Sequence, residues 1–170
     1  MDTIFRWIEG TPLSMWIGQS ESIFAFPTIL LLHTIGMGML VGFSVALNLR
    51  MLGFMPNVPA GYLEGFFSIF RIGLVLNVLS GALLLVAYPT KALTNPLFYV
   101  KLLCIVLATA TTLVIRRRAL SANKAAPQNH IPGSKGLAGV SLLLWAMAIS
   151  FGRLLEYTYS RLYVDFNDAG

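Results

Sequence analysis

The sequence predicts an all-α fold: an integral membrane four-helix bundle with a short N-terminal interfacial helix. Three observations carry this. Only 11% of the 170 residues are charged and the mean hydropathy is +0.75, whereas a soluble domain carries about 25% charged residues. Four apolar runs approach or exceed the roughly 20 residues that cross a hydrocarbon core. The cations gather at the ends of these runs and are not interleaved with aromatics on a polar face. The net charge of +5 therefore speaks for a lipid bilayer as partner and against nucleic acid.

Residues 1–22 read as an amphipathic interfacial segment. Ile4, Phe5, Trp7, Ile8, Met15, Trp16 and Ile17 are mixed with Asp2, Arg6, Glu9 and Glu21. Gly10, Pro12 and Gly18 interrupt the pattern, which predicts a helix near 3–9 and then an aromatic turn in the plane of the interface. It is not a cleavable signal peptide, because Asp2 and Glu9 break it and no long apolar stretch follows a basic start.

Residues 23–159 hold the four transmembrane helices, near 23–52, 62–88, 97–115 and 136–159. In the first, Pro27 stands where the helix does not yet need every backbone donor, and Arg50 marks the far end. Gly38, Gly42 and Ala46 recur every four residues, a small-residue stripe on which another backbone can pack closely. Gly53–Gly61, with Pro56 and Pro59, is a loop. The second helix carries Glu64 and Arg71 before an uncharged stretch, Ile72–Tyr88, of only 17 residues. It extends N-terminally, with Arg71 snorkelling toward the headgroups. Pro89–Pro96 is a short loop. The third helix ends in Arg116, Arg117 and Arg118. Residues 119–135, with Lys124, Pro127, Asn129, His130, Pro132 and Lys135, form a polar loop. The tail, 160–170, carries Asp165 and Asp168 and is expected to fray. Cys104 is the single cysteine, so no intrachain disulfide or thiolate cage is possible.

Alternating direction gives the chain a topology. Arg50, Arg71, Arg116, Arg117, Arg118, Lys124 and Lys135 fall on one side, against Lys91 and Lys101 on the other. The positive-inside rule makes this a multi-pass protein of the bacterial inner membrane with both termini outside. His33 precedes Arg50 by 17 residues, about 25 Å at 1.5 Å per residue, which places it in the outer half. Lys101 lies one turn into the third helix; Arg153, Glu156 and Tyr88 reach the same level. On the second helix Asn77, Ser80 and Gly81 share a face.

These residues compose a candidate cofactor site: His33, Lys101, Arg153, Asn77, Ser80, Glu156 and Tyr88, with His33 the metal ligand. Ligands on facing helices are how bundles hold cofactors, and an ionisable residue inside a span is a functional-site hypothesis by default. Simpler readings stand beside this one. Arg153 and Glu156 pair at i, i+3; Lys101 snorkels; His33 bonds a carbonyl or Asn77. His130 is solvated.

The stretch FPTILLLHTIGMGMLVGFSVALNLRMLGF resembles the first helix of a bacterial four-helix membrane-domain family whose activity is unassigned. Asn48 stands where that family usually has Asp. NPLFYVKLL and WAMAISFGRLLEY resemble its later blocks, and the likeness covers most of 23–158. More distantly, a His early in the first helix and a Lys heading a later one is similar to CopD-like copper-resistance domains and to HemJ-type protoporphyrinogen oxidases. In the latter, which bind haem b, a His and a Lys are the functional pair. The resemblance implies that role for His33 and Lys101, but the other HemJ residues are not evident.

Four functions follow. The first is a haem-b site for electron transfer, with His33 axial and cations for the propionates. Met37 and Met39 are too close along the same helix to supply the opposite ligand. The haem would then be five-coordinate, take a Met from another helix such as Met147, which lies nearer mid-bilayer, or be shared with a partner subunit. The second is a non-catalytic anchor or assembly subunit, a homo-oligomer or partner of another membrane subunit through Gly38, Gly42 and Ala46. The third is a CopD-like metal-handling domain using Met37, Met39, Met51, Met55 and Cys104. The fourth is a porphyrinogen-oxidising enzyme. Whether the chain is an enzyme stays open at this point.

Overall fold

The computed structural model describes residues 7–20, 22–54, 65–125 and 134–167, and among these the secondary structure is helical, with no strand. The elements are α1 (Pro12–Gln19), α2 (Phe26–Leu52), α3 (Phe67–Ala87), α4 (Pro89–Leu93), α5 (Pro96–Ala125) and α6 (Ser134–Asn167). Four of them, α2, α3, α5 and α6, are long and apolar enough to cross a membrane. Only 22–28% of each apolar window is buried inside the bundle. The remaining surface, with Leu31 at 58%, Val106 at 62% and Leu143 at 62% exposed, needs lipid as its solvent. The chain is a multi-pass membrane protein.

Several boundaries differ from the sequence reading. The N-terminal helix expected near 3–9 falls largely outside the described residues. Its described residues, 7–9, are helical, and a further helix forms over 12–19, where the sequence predicts an aromatic turn. Its signals are local: Thr11 Oγ1 accepts from the Ser14 N–H at 3.4 Å and Pro12 takes the first helical position, where no backbone donor is needed. The 89–96 loop contains α4, again opened by a proline. α5 continues past Arg116–Arg118 to Ala125, because Arg, Ala, Leu and Lys all favour helix. The tail expected to fray stays helical to Asn167, with no Gly or Pro to stop it. Tyr62–Glu64 and His130 lie outside the described residues.

α2 packs along α3 and also against α6, and α6 packs along α5. Among the described residues the backbones of α3 and α5 make no comparable packing, so the fourth side of the bundle is open. α2 ends in a Schellman turn. Gly53 adopts φ +96°, its N–H donates to Arg50 O at 3.0 Å, and the Phe54 N–H donates to Leu49 O at 3.1 Å. The left-handed conformation explains glycine at that position.

The tightest contact is the α2–α3 crossing. A Cβ on Gly73 would lie 2.8 Å from Met39 Cβ and 2.9 Å from both Gly36 O and Leu40 N. A Cβ on Gly36 would lie 2.9 Å from Asn77 N. The Gly38/Gly42 stripe plays no part in it; nothing lies within 4 Å of either position. Below the crossing the apolar core gathers Leu40, Phe43, Leu47, Phe70, Ala108, Ile115 and Trp145.

A buried polar seam runs through this core. Asn48 Nδ2 donates to Ser141 Oγ at 3.0 Å and Thr112 Oγ1 donates to Ser44 Oγ at 3.3 Å, with all four residues at 0% exposure. Such bonds join transmembrane helices where lipid offers no alternative partner. Ser141→Ala strands the Asn48 amide and is expected to lower stability by about 1–3 kcal/mol. Adding Asn48→Leu removes the stranded group, so the double variant should lose less than the two single losses summed. Thermal unfolding of the set in one detergent measures the coupling.

Candidate functional site

At the end of the bundle away from the arginines, four helices converge on His33. The imidazole sits in the second turn of α2, partly buried. Across the interface on α3, Asn77, Ser80 and Gly81 share the face read from the sequence. Asn77 Nδ2 donates to the His33 carbonyl at 3.2 Å, and His33 Nδ1 lies 3.0 Å from Ser80 Oγ. Gly81 leaves room for the ring: a Cβ there would lie 3.2 Å from His33 Cε1. This third glycine fits the imidazole against the α3 backbone.

Ser80 bears on the tautomer. Its hydroxyl has one proton; with that proton on Leu76 O, 2.5 Å away, Ser80 Oγ accepts from Nδ1–H and Nε2 carries the lone pair. A histidine ready to ligate through Nε2, with Nδ1–H anchored by a second residue, is the arrangement that metal-binding histidines use.

Lys101 approaches from the other side. It lies in the second turn of α5, and its Cε and Nζ both sit 3.5 Å from where a Cβ on Gly152 of α6 would be. The ammonium is near enough for its charge to act on the His33 imidazole. Partly buried, it has no hydrogen-bond or ion-pair partner among the described residues. An unpaired cation in a span is costly unless something anionic or strongly dipolar meets it. α5 is held at this level by Asn95, whose Oδ1 caps the Leu97 N–H at 3.0 Å while its Nδ2 donates to Thr158 Oγ1 on α6 at 3.1 Å.

The structure thus brings His33, Asn77, Ser80 and Lys101 together. Arg153 is next to Gly152 on α6 and exposed; the Glu156 side chain lies outside the described set. Tyr88 belongs to a different assembly. Its hydroxyl donates to Gly18 O at 3.1 Å and its ring packs edge-on to Phe26, 5.8 Å between centroids. It is an anchor for α1, alongside Ile17, fully buried against Ile29 and Ala87, and Ser14, whose hydroxyl donates to Ala87 O at 3.5 Å. Thr90 Oγ1 donates to Glu9 Oε1 at 2.6 Å and completes that clamp. α1 is therefore docked on the ends of α2 and α3, one turn beyond His33. Its outward residues, Leu13, Met15 and Trp16 at 43–49% exposure, suit an interfacial position.

Sequence reasoning places Gly81 on the face it shares with Asn77 and Ser80 but gives it no part in the site, and it misses Gly152; the role of each is read from the side chain that lies against it. Among the described residues no group of three or more His, Cys, Asp or Glu side chains gathers to hold a bare metal ion, and Cys104 is buried at 4% exposure among apolar neighbours. A multi-carboxylate or thiolate centre does not fit the described part of this bundle; a single-histidine ligand set does. Comparison with protein-family models, curated proteins and solved structures finds no match, so the functional reading rests on this arrangement of imidazole, hydroxyl and ammonium in the membrane.

Proposed function

We propose that the chain is a haem-b-binding membrane protein of the bacterial inner membrane, with its termini outside, serving electron transfer. The observation that carries the reading is the pairing of His33, whose Nδ1 meets Ser80 Oγ, with a partly buried ammonium that has no hydrogen-bond or ion-pair partner among the described residues. Haem b asks for both a neutral imidazole for iron and cations for the propionates. His33 would hold the iron. Lys101 and Arg153 would meet the carboxylates, and Ser80 and Asn77 would orient the imidazole and its helix. Bound haem supplies a one-electron couple; this chain's own residues set the ring orientation and neutralise charge in a medium without water. Only one histidine lies in the spans, so any further ligand the iron takes would be a side chain of another type, such as a methionine, or a residue of a partner subunit. The exposed Gly38 and Gly42 leave a face of α2 on which such a subunit, or a second copy, would pack. An anchor role is compatible with that face, but it makes no use of His33 and Lys101.

The test is an absorption spectrum of protein purified from haem-replete cells, oxidised and then reduced with dithionite. A Soret band with reduced-state α and β bands is expected, and Lys101→Leu should retain less haem through purification than wild type. A spectrum without any Soret band would overturn the proposal.

A further inference from the structure

At one end of the side between α3 and α5, the Arg116 guanidinium lies over the Phe67 ring, 3.6 Å from its centroid. Arg71 follows Phe67 by one turn on the same face of α3, and Arg117 follows Arg116 on α5; both are exposed. Arg71 is four residues into its helix and Arg116 is twenty residues along α5. By the helical rise these are about 6 Å and about 30 Å from the respective starts, one level at the same membrane face.

Helical register continues the two facing surfaces away from these cations. Leu74 and Val78 stand seven and eleven residues after Phe67. Ile105 and Leu102 stand eleven and fourteen before Arg116. Val78 is 59% exposed and Leu102 43% exposed, so the surfaces form an apolar trough and not a sealed interface. Among the described residues this end of the bundle carries Arg50, Arg71, Arg116, Arg117, Arg118 and Lys135.

We infer that the trough seats an anionic phospholipid, its phosphate between Arg71 and Arg117 and an acyl chain along Leu74, Val78, Ile105 and Leu102. The reasoning is chemical complementarity. Guanidinium groups bind phosphate bidentately, basic sites between transmembrane helices recognise anionic headgroups, and the exposed apolar side chains of Val78 and Leu102 continue the two helices beneath them. The site is separate from His33 and Lys101 and does not depend on haem.

Native mass spectrometry of the full chain in detergent, with phosphatidylglycerol or phosphatidylcholine of identical acyl chains, tests it. Wild type is expected to retain phosphatidylglycerol several-fold more than phosphatidylcholine. Arg71→Gln with Arg117→Gln should bring the two to near parity, whereas lysine at both positions should keep the preference. Lys91→Gln, at the opposite end, should leave it intact. Equal retention of both lipids by wild type, or an equal loss in Lys91→Gln, would overturn the inference.

Discussion

His33→Ala is expected to abolish haem absorbance altogether, while Ser80→Ala weakens it without removing it. The first change deletes the only imidazole in the spans. The second keeps the ligand but removes the oxygen at 3.0 Å that holds Nδ1–H. With that bond gone, the ring loses one of its anchors on α3. Loss of such an outer partner typically costs 10–100-fold in metal affinity, so haem titration of Ser80→Ala should show weaker binding by about that factor. Gly81→Val presses a side chain against Cε1, which has 3.2 Å to give, and should resemble Ser80→Ala. An undiminished Soret band in His33→Ala would refute axial ligation by this residue.

The largest effect on folding should come from Gly73→Leu, which is expected to prevent the bundle from assembling. Even alanine there would put a Cβ 2.8 Å from Met39 Cβ and 2.9 Å from the α2 backbone. Neither partner is the flexible end of a side chain, so α2 and α3 must separate. Gly73→Ala should therefore lower stability by about 1–3 kcal/mol, the usual cost of overpacking. Gly42→Ala is the contrast. With nothing within 4 Å and glycine about 1 kcal/mol less favourable than alanine in a helix, it should leave the melting temperature unchanged or raised. Thermal melts in one detergent compare them directly. The crossing also sets the site: Gly36 is three residues from His33, and Asn77, whose backbone it touches, holds the His33 carbonyl. Gly73→Ala should thus perturb any signal that depends on His33.

These two residues illustrate what the amino-acid order discloses and what it conceals. The four spans were legible because 18-residue apolar windows have few other uses. The shared face of Asn77, Ser80 and Gly81 was legible because helical spacing is rigid. The small-residue stripe at 38, 42 and 46 was equally regular, yet the contact formed at Gly36 and Gly73. Spacing tells which residues share a face but not which face meets which neighbour; that choice is made by the fit of two surfaces far apart in the chain. The role of Tyr88 was hidden for the same reason. A tyrosine at the end of a span reads as a rim residue, and only the docking of α1 revealed that its hydroxyl is taken by Gly18. The extra turns of α5 and α6 escaped because polarity was read as loop, although Arg, Leu and Lys continue a helix as readily as they end a span.

α1 sits like a lintel over the ends of α2 and α3, pinned by Ile17, Ser14 and Tyr88. It covers the helix ends one turn beyond His33, while the exposed apolar flank of the spans faces hydrocarbon. Whatever reaches the imidazole by that flank must first dissolve among acyl chains. Its rate of capture should then scale with its oil–water partition coefficient, not with its concentration in the surrounding solution.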